Sequence, residues 1–433
     1  MMRHEMRGVH SLRLGTDPEV FLSKETGRIR KRIAIIGSEM VVPTEGMNCI
    51  SSGSTCGKVV RDGVQVELHP TATTCRQSMG YYIKNCLAHL NAEVAKHKGL
   101  KIDFRQVVTL SRGDLMKLQP DSRELGCMPS LNIYGKEHII LDGEKYLTRS
   151  AAGHIHMGSQ AFNGPAQFGD RLDPVRAVRI MDVLVGNQSV LMDRDPLAAE
   201  RRKAYGRAGE YRLPPHGLEY RTLSNFWLRD YKLMSFVMGM TKMAHLVMQS
   251  SIIDSYYAKN PQCRPSFFKG AWPAEAELMS RVDLRLIEQA INTNDFDLAW
   301  SNWETMVRPF IQDLNCSYGL TADSIPNFEH FIRRIRDEEE AGRDPLGYWF
   351  KDDTLMHWLN ISGWSGWENY LATTVSKDGA TLVRSKIVLP DVAGVVITPS
   401  VPDTVAAAVA AVIQGPSDTG YAAQRPGRSV RND

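Results

Sequence analysis

The chain contains no apolar run approaching the roughly 20 residues of a membrane-spanning helix, so no membrane partner is expected. It has almost no net charge. Its 52 Lys and Arg against 49 Asp and Glu leave +3, too little to make nucleic acid or an anionic membrane the main partner. No Cys-x-x-Cys spacing occurs among its 7 cysteines (Cys49, Cys56, Cys75, Cys86, Cys127, Cys263 and Cys316). An odd count at such spacings predicts reduced thiols rather than a disulfide framework. The first residues, Met1 to Arg7, lack an apolar stretch, which argues against a signal peptide and for a cytoplasmic location. No clear internal repeat is present.

What remains is an ordinary globular composition, 43% hydrophobic and 23% charged over 433 residues, enough for a sizeable core. Residues 11 to 22 and 31 to 42 read as strands with a turn at Gly27, and 45 to 57 as a loop. Val64 to Leu68 reads as a strand closed by His69-Pro70. Apolar residues at helical spacing (Met79, Ile83, Leu87, Leu90, Val94) predict a helix from Thr73 to about Lys96. Residues 101 to 110 look extended, Gly126 to Ser130 form a turn, and Ala151 to Gly158 a short strand. Asp173-Pro174 opens a helix through Met192, an Asp cap followed by Pro at the first helical position. Arg194 to Arg212 reads as a basic, glycine-containing loop, and Gly217 to Arg221 as a strand. Residues 230 to 372 look largely helical, and from about 388 the chain becomes small, Ala-rich and Pro-punctuated. Many strands with few helices between residues 11 and 160 predict an α+β fold with a mostly antiparallel sheet. The expected organisation is a core over 11–230, a helical part over 231–372 and a mobile tail over 388–433.

Three ionisable pairs recur at alternate positions in these strands: Asp17/Glu19, His154/His156 and Glu219/Arg221. Strand side chains alternate faces, so each pair points one way. Glu67 joins them, with Gln65 and His69 on its side. Each signal alone has a plainer reading. Asp-Pro-Glu can be a turn, Glu67 an exposed strand carboxylate, the histidines local hydrogen-bond partners, and Glu219/Arg221 a surface ion pair. Together, carboxylates, imidazoles and an arginine on one side of a sheet would be costly unless they bind something charged. Oxygen-rich acids suit magnesium, magnesium accompanies nucleotide phosphates, and arginine clamps oxyanions through its planar fork. The pattern points to an enzyme that uses ATP.

The order Asp17-x-Glu19, Glu67, His154-x-His156, arginine-rich stretch, Glu219-x-Arg221 resembles the glutamine synthetase-like carboxylate-amine ligases. It is most similar to the COOH-NH2 ligase type 2 group of phiEco32-like phages. The phrases that carry the resemblance are Gly15 to Phe21, Asp62 to Pro70, Arg149 to Gly158, Arg202 to Gly206 and Gly217 to Leu228. They span about residues 11 to 230. The resemblance implies a curved antiparallel sheet flanked by helices, ATP with two or more magnesium ions (manganese as an alternative), and the cytoplasm of an infected host cell. It places one ion on Asp17, His154 and Glu219 and another on Glu19 and Glu67. His156, Arg201, Arg202 and Arg221 would attend the nucleotide. Arg202, Arg212 and Arg221 would serve catalysis by steadying the transferred phosphoryl group, with Arg201 to Arg212 as a closing loop. The first acid is Asp where many relatives carry Glu, a shorter arm.

The implied reaction forms an amide between a carboxylate and an amine supplied by small molecules, peptides or proteins, through an acyl-phosphate. A homo-oligomer is compatible with distant relatives that form rings. The rival readings are a metal-dependent hydrolase, which would turn over without ATP, and a non-catalytic protein descended from a ligase.

Overall fold

Period-two alternation of apolar and polar residues builds the sheet, and the register shows which residues share its two faces. The computed structural model describes residues 12–27, 32–51, 53–73, 75–125, 130–136, 142–159, 173–250, 273–318 and 354–360, with 254, 258–259, 261–263, 337 and 340–342. The described elements fall within one compact unit, Met1–Ile361.

Thirteen named strands are described: β1 (Leu12–Thr16), β2 (Glu19–Thr26), β3 (Arg32–Ile36), β4 (Met47–Ser51), β5 (Ser54–Asp62), β6 (Gln65–Pro70), β7 (Leu100–Asp103), β8 (Val107–Thr109), β9 (Leu131–Asn132), β10 (Thr148–Ser150), β11 (Ile155–Ser159), β12 (Glu210–Arg212) and β13 (Leu218–Tyr220). All their pairings are antiparallel. One sheet runs β1-β11-β13-β12-β9. A second runs β3-β2-β6-β5-β4, with β7 also on β2, and β10 pairs β8 separately.

The two larger sheets are joined along a single bent strand. β1 continues through Asp17-Pro18 into β2. On one side Glu19 N–H donates to Ala152 O (2.8 Å), extending the β1–β11 register. On the other, Leu68 N–H donates to Pro18 O (2.9 Å), and Leu14 exchanges backbone bonds of 2.8 and 2.9 Å with Thr73. Proline has no N–H to give a ladder, so the bend falls where the strand can spare a donor. The product is one curled antiparallel surface.

Its outer face is apolar. Leu14, Val20, Val59, Val66, Leu68, Ile155, Met157, Leu218 and Tyr220 are all fully buried there. Helix Arg76–Val94 covers β5 and β6, helix Tyr231–Met248 covers β1, and helix Pro174–Met181 touches β13. Helices gathered on one side of an antiparallel sheet make this an α+β fold. Asp173 caps helix Pro174–Met181, accepting from Val175 N–H at 3.0 Å with Pro174 at the first helical position, as the sequence predicts. That helix runs on through a π segment, Asp182–Gly186, into Asn187–Met192.

Several expectations need correction. Residues 45 to 57 are not a loop: β4 and the start of β5 form a hairpin there, paired Met47↔Val59 to Ser51↔Ser54. Buried Cys49 and Cys56 supply inward-facing positions that glycine and serine disguise in the sequence. The strand over 31 to 42 ends at Ile36 and gives way to a short 3-10 turn, Ser38–Met40. Arg194 to Arg212 is largely regular, with helix Ala198–Ala204 followed by β12. Asp17, His154 and Arg221 sit one residue beyond a strand rather than inside it. The turn expected at Gly126 to Ser130 lies mostly, and the tail from 388 wholly, outside the described residues. So does part of the helical region 230 to 372.

Candidate active site: carboxylates, imidazoles and arginines on the inner face

The other face of the curled sheet carries the polar side chains, and cross-strand pairing aligns them in rows. Gly15 lies opposite His156, His156 opposite Glu219, and Glu219 opposite Arg212. Glu19 lies opposite Glu67, and Asp62 opposite Gln65. Residues from β1/β2, β5/β6, β11 and β12/β13 thus meet across one surface.

At its centre Asp17, His154 and Glu219 each present a ligand atom within 4.8 Å of the others, and all three are buried. His154 Nδ1 lies 3.3 Å from Asp17 Oδ1 and 3.4 Å from Glu219 Oε1. Glu219 also receives a two-pronged bond from Arg212, 2.8 Å at each oxygen, and contacts Arg221 Nε at 3.1 Å. Arg221 donates onward to Ser130 Oγ at 2.7 Å and Tyr205 Oη at 2.8 Å. His156 approaches Asp17 with Nε2 (3.0 Å) and His216 with Nδ1 (2.6 Å), and the two imidazole rings stack.

The acids divide into two electrostatic groups. Burial pushes the Asp17 and Glu219 carboxyls up, but the imidazoles outweigh it at Asp17, and His154 and Arg212 outweigh it at Glu219; both end below the usual carboxylate range. Glu19 and Glu67 go the other way. Burial and then neighbouring carboxylates (Asp62 and Glu67 for Glu19, Asp17 and Asp62 for Glu67) hold them well above it. Asp62 is raised mainly by burial. Burial lowers His154, whereas at His156 it is overcome by Asp17 and the pKa rises.

Five carboxylates (Asp17, Glu19, Asp62, Glu67, Glu219) thus share one face with two guanidinium groups (Arg212, Arg221), an excess of negative charge that a divalent cation would relieve. The central trio suits such an ion. Asp17 Oδ1 is buried and, among the described residues, accepts no hydrogen bond. The ring nitrogen of His154 away from the carboxylates is held by Tyr205 Oη at 2.5 Å, as is usual for a ligating imidazole. Two carboxylates with one imidazole fit magnesium or manganese.

Of the sequence candidates, Asp17, His154, His156, Glu219, Arg212 and Arg221 converge on this centre. Glu19 and Glu67 lie beside it, next to each other across the β2–β6 pair. Arg201 and Arg202 stand apart. Both are buried and donate to backbone carbonyls, Arg201 to Thr222 and Leu223 (3.0 Å each), Arg202 to Gly206 and Thr222 (2.8 and 3.3 Å).

Sequence reading missed Asp62, Ser130, Tyr205 and His216. Asp62 carried a usable signal: Gly63-Val64 is a two-residue hairpin turn, with Gly63 at φ 55°, and across it Asp62 pairs with Gln65 and so shares the face of Gln65 and Glu67. The other three arrive from loops and a helix end, which no spacing rule places.

Among the described residues, no helix is long and apolar enough to cross a membrane. No curated protein matches the chain. Residues 142–311, which include His154, His156, Arg201, Arg202, Arg212, Glu219 and Arg221, match the model of the family Phage phiEco32-like COOH.NH2 ligase-type 2, which agrees with placement among the carboxylate-amine ligases and supports ligase activity of that general kind.

Proposed function

We propose that the chain is an ATP-dependent carboxylate-amine ligase that works through an acyl-phosphate, on a glutamine synthetase-like sheet, in the cytoplasm. One observation carries the reading: Asp17, His154 and Glu219, far apart in sequence, bring ligand atoms within 4.8 Å of one another beside two arginines. Phosphoryl transfer needs such a site, because little covalent work is asked of the protein beyond positioning and charge neutralisation.

Asp17, His154 and Glu219 would hold one magnesium or manganese ion, and Glu19, Glu67 and Asp62 a second; such ions supply charge neutralisation at the phosphate oxygens. Arg212 and Arg221 are placed to receive the transferred phosphoryl group, since a planar guanidinium binds two oxyanion oxygens at once. Arg201 and Arg202 brace the wall behind them through the carbonyls of residues 206, 222 and 223. In the first step a substrate carboxylate oxygen bonds to the γ-phosphorus as the bond to the ADP oxygen breaks. In the second the amine nitrogen bonds to the acyl carbon, phosphate departs and the nitrogen loses a proton. His156 and His216 line the edge of the face where the nucleotide would lie.

The test is to incubate protein with ATP, magnesium, hydroxylamine and a panel of carboxylic acids, following ADP and hydroxamate. ADP release that requires one class of acid, with hydroxamate in equal amount, is expected. Turnover of a substrate without ATP would point to a metallohydrolase, and no turnover with any acid would sink the ligase reading for the panel tested.

A further inference from the structure

Tyr205 has no role in the reaction as described, yet it is the residue that holds His154 from behind. It follows helix Ala198–Ala204 in extended conformation, φ −159° and ψ 148°, which takes it off the helix. Its ring meets that of His154 edge-on at 5.8 Å between centroids. The guanidinium carbons of Arg201 and Arg221 lie 5.2 and 5.1 Å from its ring centre. Its hydroxyl oxygen is 2.5 Å from His154 Nε2 and 2.8 Å from Arg221 NH2.

Donor counting orders this chain of contacts. A guanidinium only donates, so Tyr205 Oη accepts from Arg221, and the single hydroxyl proton goes to His154 Nε2. Nε2 is then an acceptor, and a neutral ring carries its proton on Nδ1, the nitrogen that faces Asp17 and Glu219 at 3.3 and 3.4 Å. A cation bound at Nδ1 requires the other tautomer. Tyr205 can serve that one too, because a hydroxyl that turns its own proton aside accepts from Nε2–H.

We propose that Tyr205 is the positioning residue of the cation site: it fixes the plane of the His154 ring so that Nδ1 is presented to Asp17 and Glu219, and ties that ring to Arg221. The inference rests on the cation-binding part of the ligase reading. It concerns a residue that touches neither phosphate nor cation, so activity alone would not test it.

The experiment is manganese titration of the full chain, followed by electron paramagnetic resonance, for wild type and Tyr205→Phe. It is paired with nitrogen-15 spectra of the histidine rings in cation-free protein, the His154 signal being assigned by its loss in His154→Gln. Phenylalanine keeps the ring beside the two guanidinium groups and removes only the hydroxyl. The expected result is manganese binding about 10- to 100-fold weaker in the variant, the usual effect of removing the partner of a ligating histidine. In the cation-free variant the His154 Nε2 resonance should shift, because that nitrogen loses its hydrogen bond while Asp17 and Glu219 keep the proton on Nδ1. Manganese affinity within twofold of wild type, or a His154 Nε2 resonance that does not move in the variant, would overturn the role of Tyr205 and leave the cation site standing. A wild type that binds no manganese would remove the cation reading and this inference with it. If Tyr205→Phe fails to fold, a crystal structure of manganese-bound wild type decides: Tyr205 Oη within hydrogen-bond reach of His154 Nε2 is expected, and a hydroxyl turned away from that ring would overturn the proposal.

Discussion

Asp17 and His154, 137 residues apart, lie with carboxylate oxygen and ring nitrogen 3.3 Å apart in the interior of the protein. The Asp17-Pro18 bend that joins the two sheets sets this contact, so the feature that shapes the sheet also places the candidate ligand.

If these residues bind a divalent cation, Asp17→Asn and His154→Ala should each weaken manganese binding at least as much as loss of an outer partner does, about 10- to 100-fold or more. Each should also abolish ADP formation. Isothermal titration and the hydroxamate assay read the two effects. Either variant with wild-type affinity would mean that the trio is not the site.

Glu67→Gln should trade activity for stability. Glu67 contacts His69 Nε2 at 2.8 Å, a contact that a glutamine oxygen can keep, but burial and the carboxylates of Asp17 and Asp62 hold its pKa well above normal, so neutralising it relieves burial cost and repulsion. The cation-free variant should melt at or above wild type at pH 8 while ADP formation is lost. Thermal melts with the assay settle it, and a variant that is both active and less stable would contradict the electrostatic account.

Asp182 gives a pH-dependent term away from the cation site. It accepts from Tyr220 Oη at 2.6 Å, and burial pushes its pKa up to about 7 from an ordinary value of 3.8. A raised folded pKa means that the contribution is fully present below the unfolded value and is lost as pH rises through the folded one. Melting temperature should therefore fall between about pH 4 and 7 in wild type and level off above that, and Asp182→Asn should flatten that fall. An unchanged slope in the variant would assign the pH dependence elsewhere.

Gly206→Ala should destabilise by more than about 1 kcal/mol, because the site demands a left-handed backbone. Gly206 has φ +74°, and an added Cβ would lie 2.1 Å from the Arg201 guanidinium. The substitution strains the turn and presses on the arginine that braces residues 222 and 223. Denaturant unfolding measures the loss, and no change in midpoint would show that the turn relaxes freely.

The legible part of the fold was its periodic part. Met79 to Val94 at helical spacing and the Asp173-Pro174 start stand where the sequence places them, because a single buried stripe and a local cap decide both. The 47–62 hairpin was hidden by glycine and serine, whose local preference yields to pairing with β6. In the site, alternate-residue pairs identified the face carrying His154, His156, Glu219 and Arg221. Tyr205 and His216 could not be found that way, since their positions depend on how a helix end and a strand turn fold back over the sheet. The arginine-rich segment reads as a solvated loop by composition, yet Arg201 and Arg202 are buried because carbonyls of residues 206, 222 and 223 receive them.

The central claim is that cations gather at Asp17, His154 and Glu219. Anomalous diffraction from crystals soaked in manganese tests it directly. The account predicts a manganese peak bonded to His154 Nδ1 and to oxygens of Asp17 and Glu219. Crystals that show manganese only elsewhere, or none with these three side chains ordered, would contradict it.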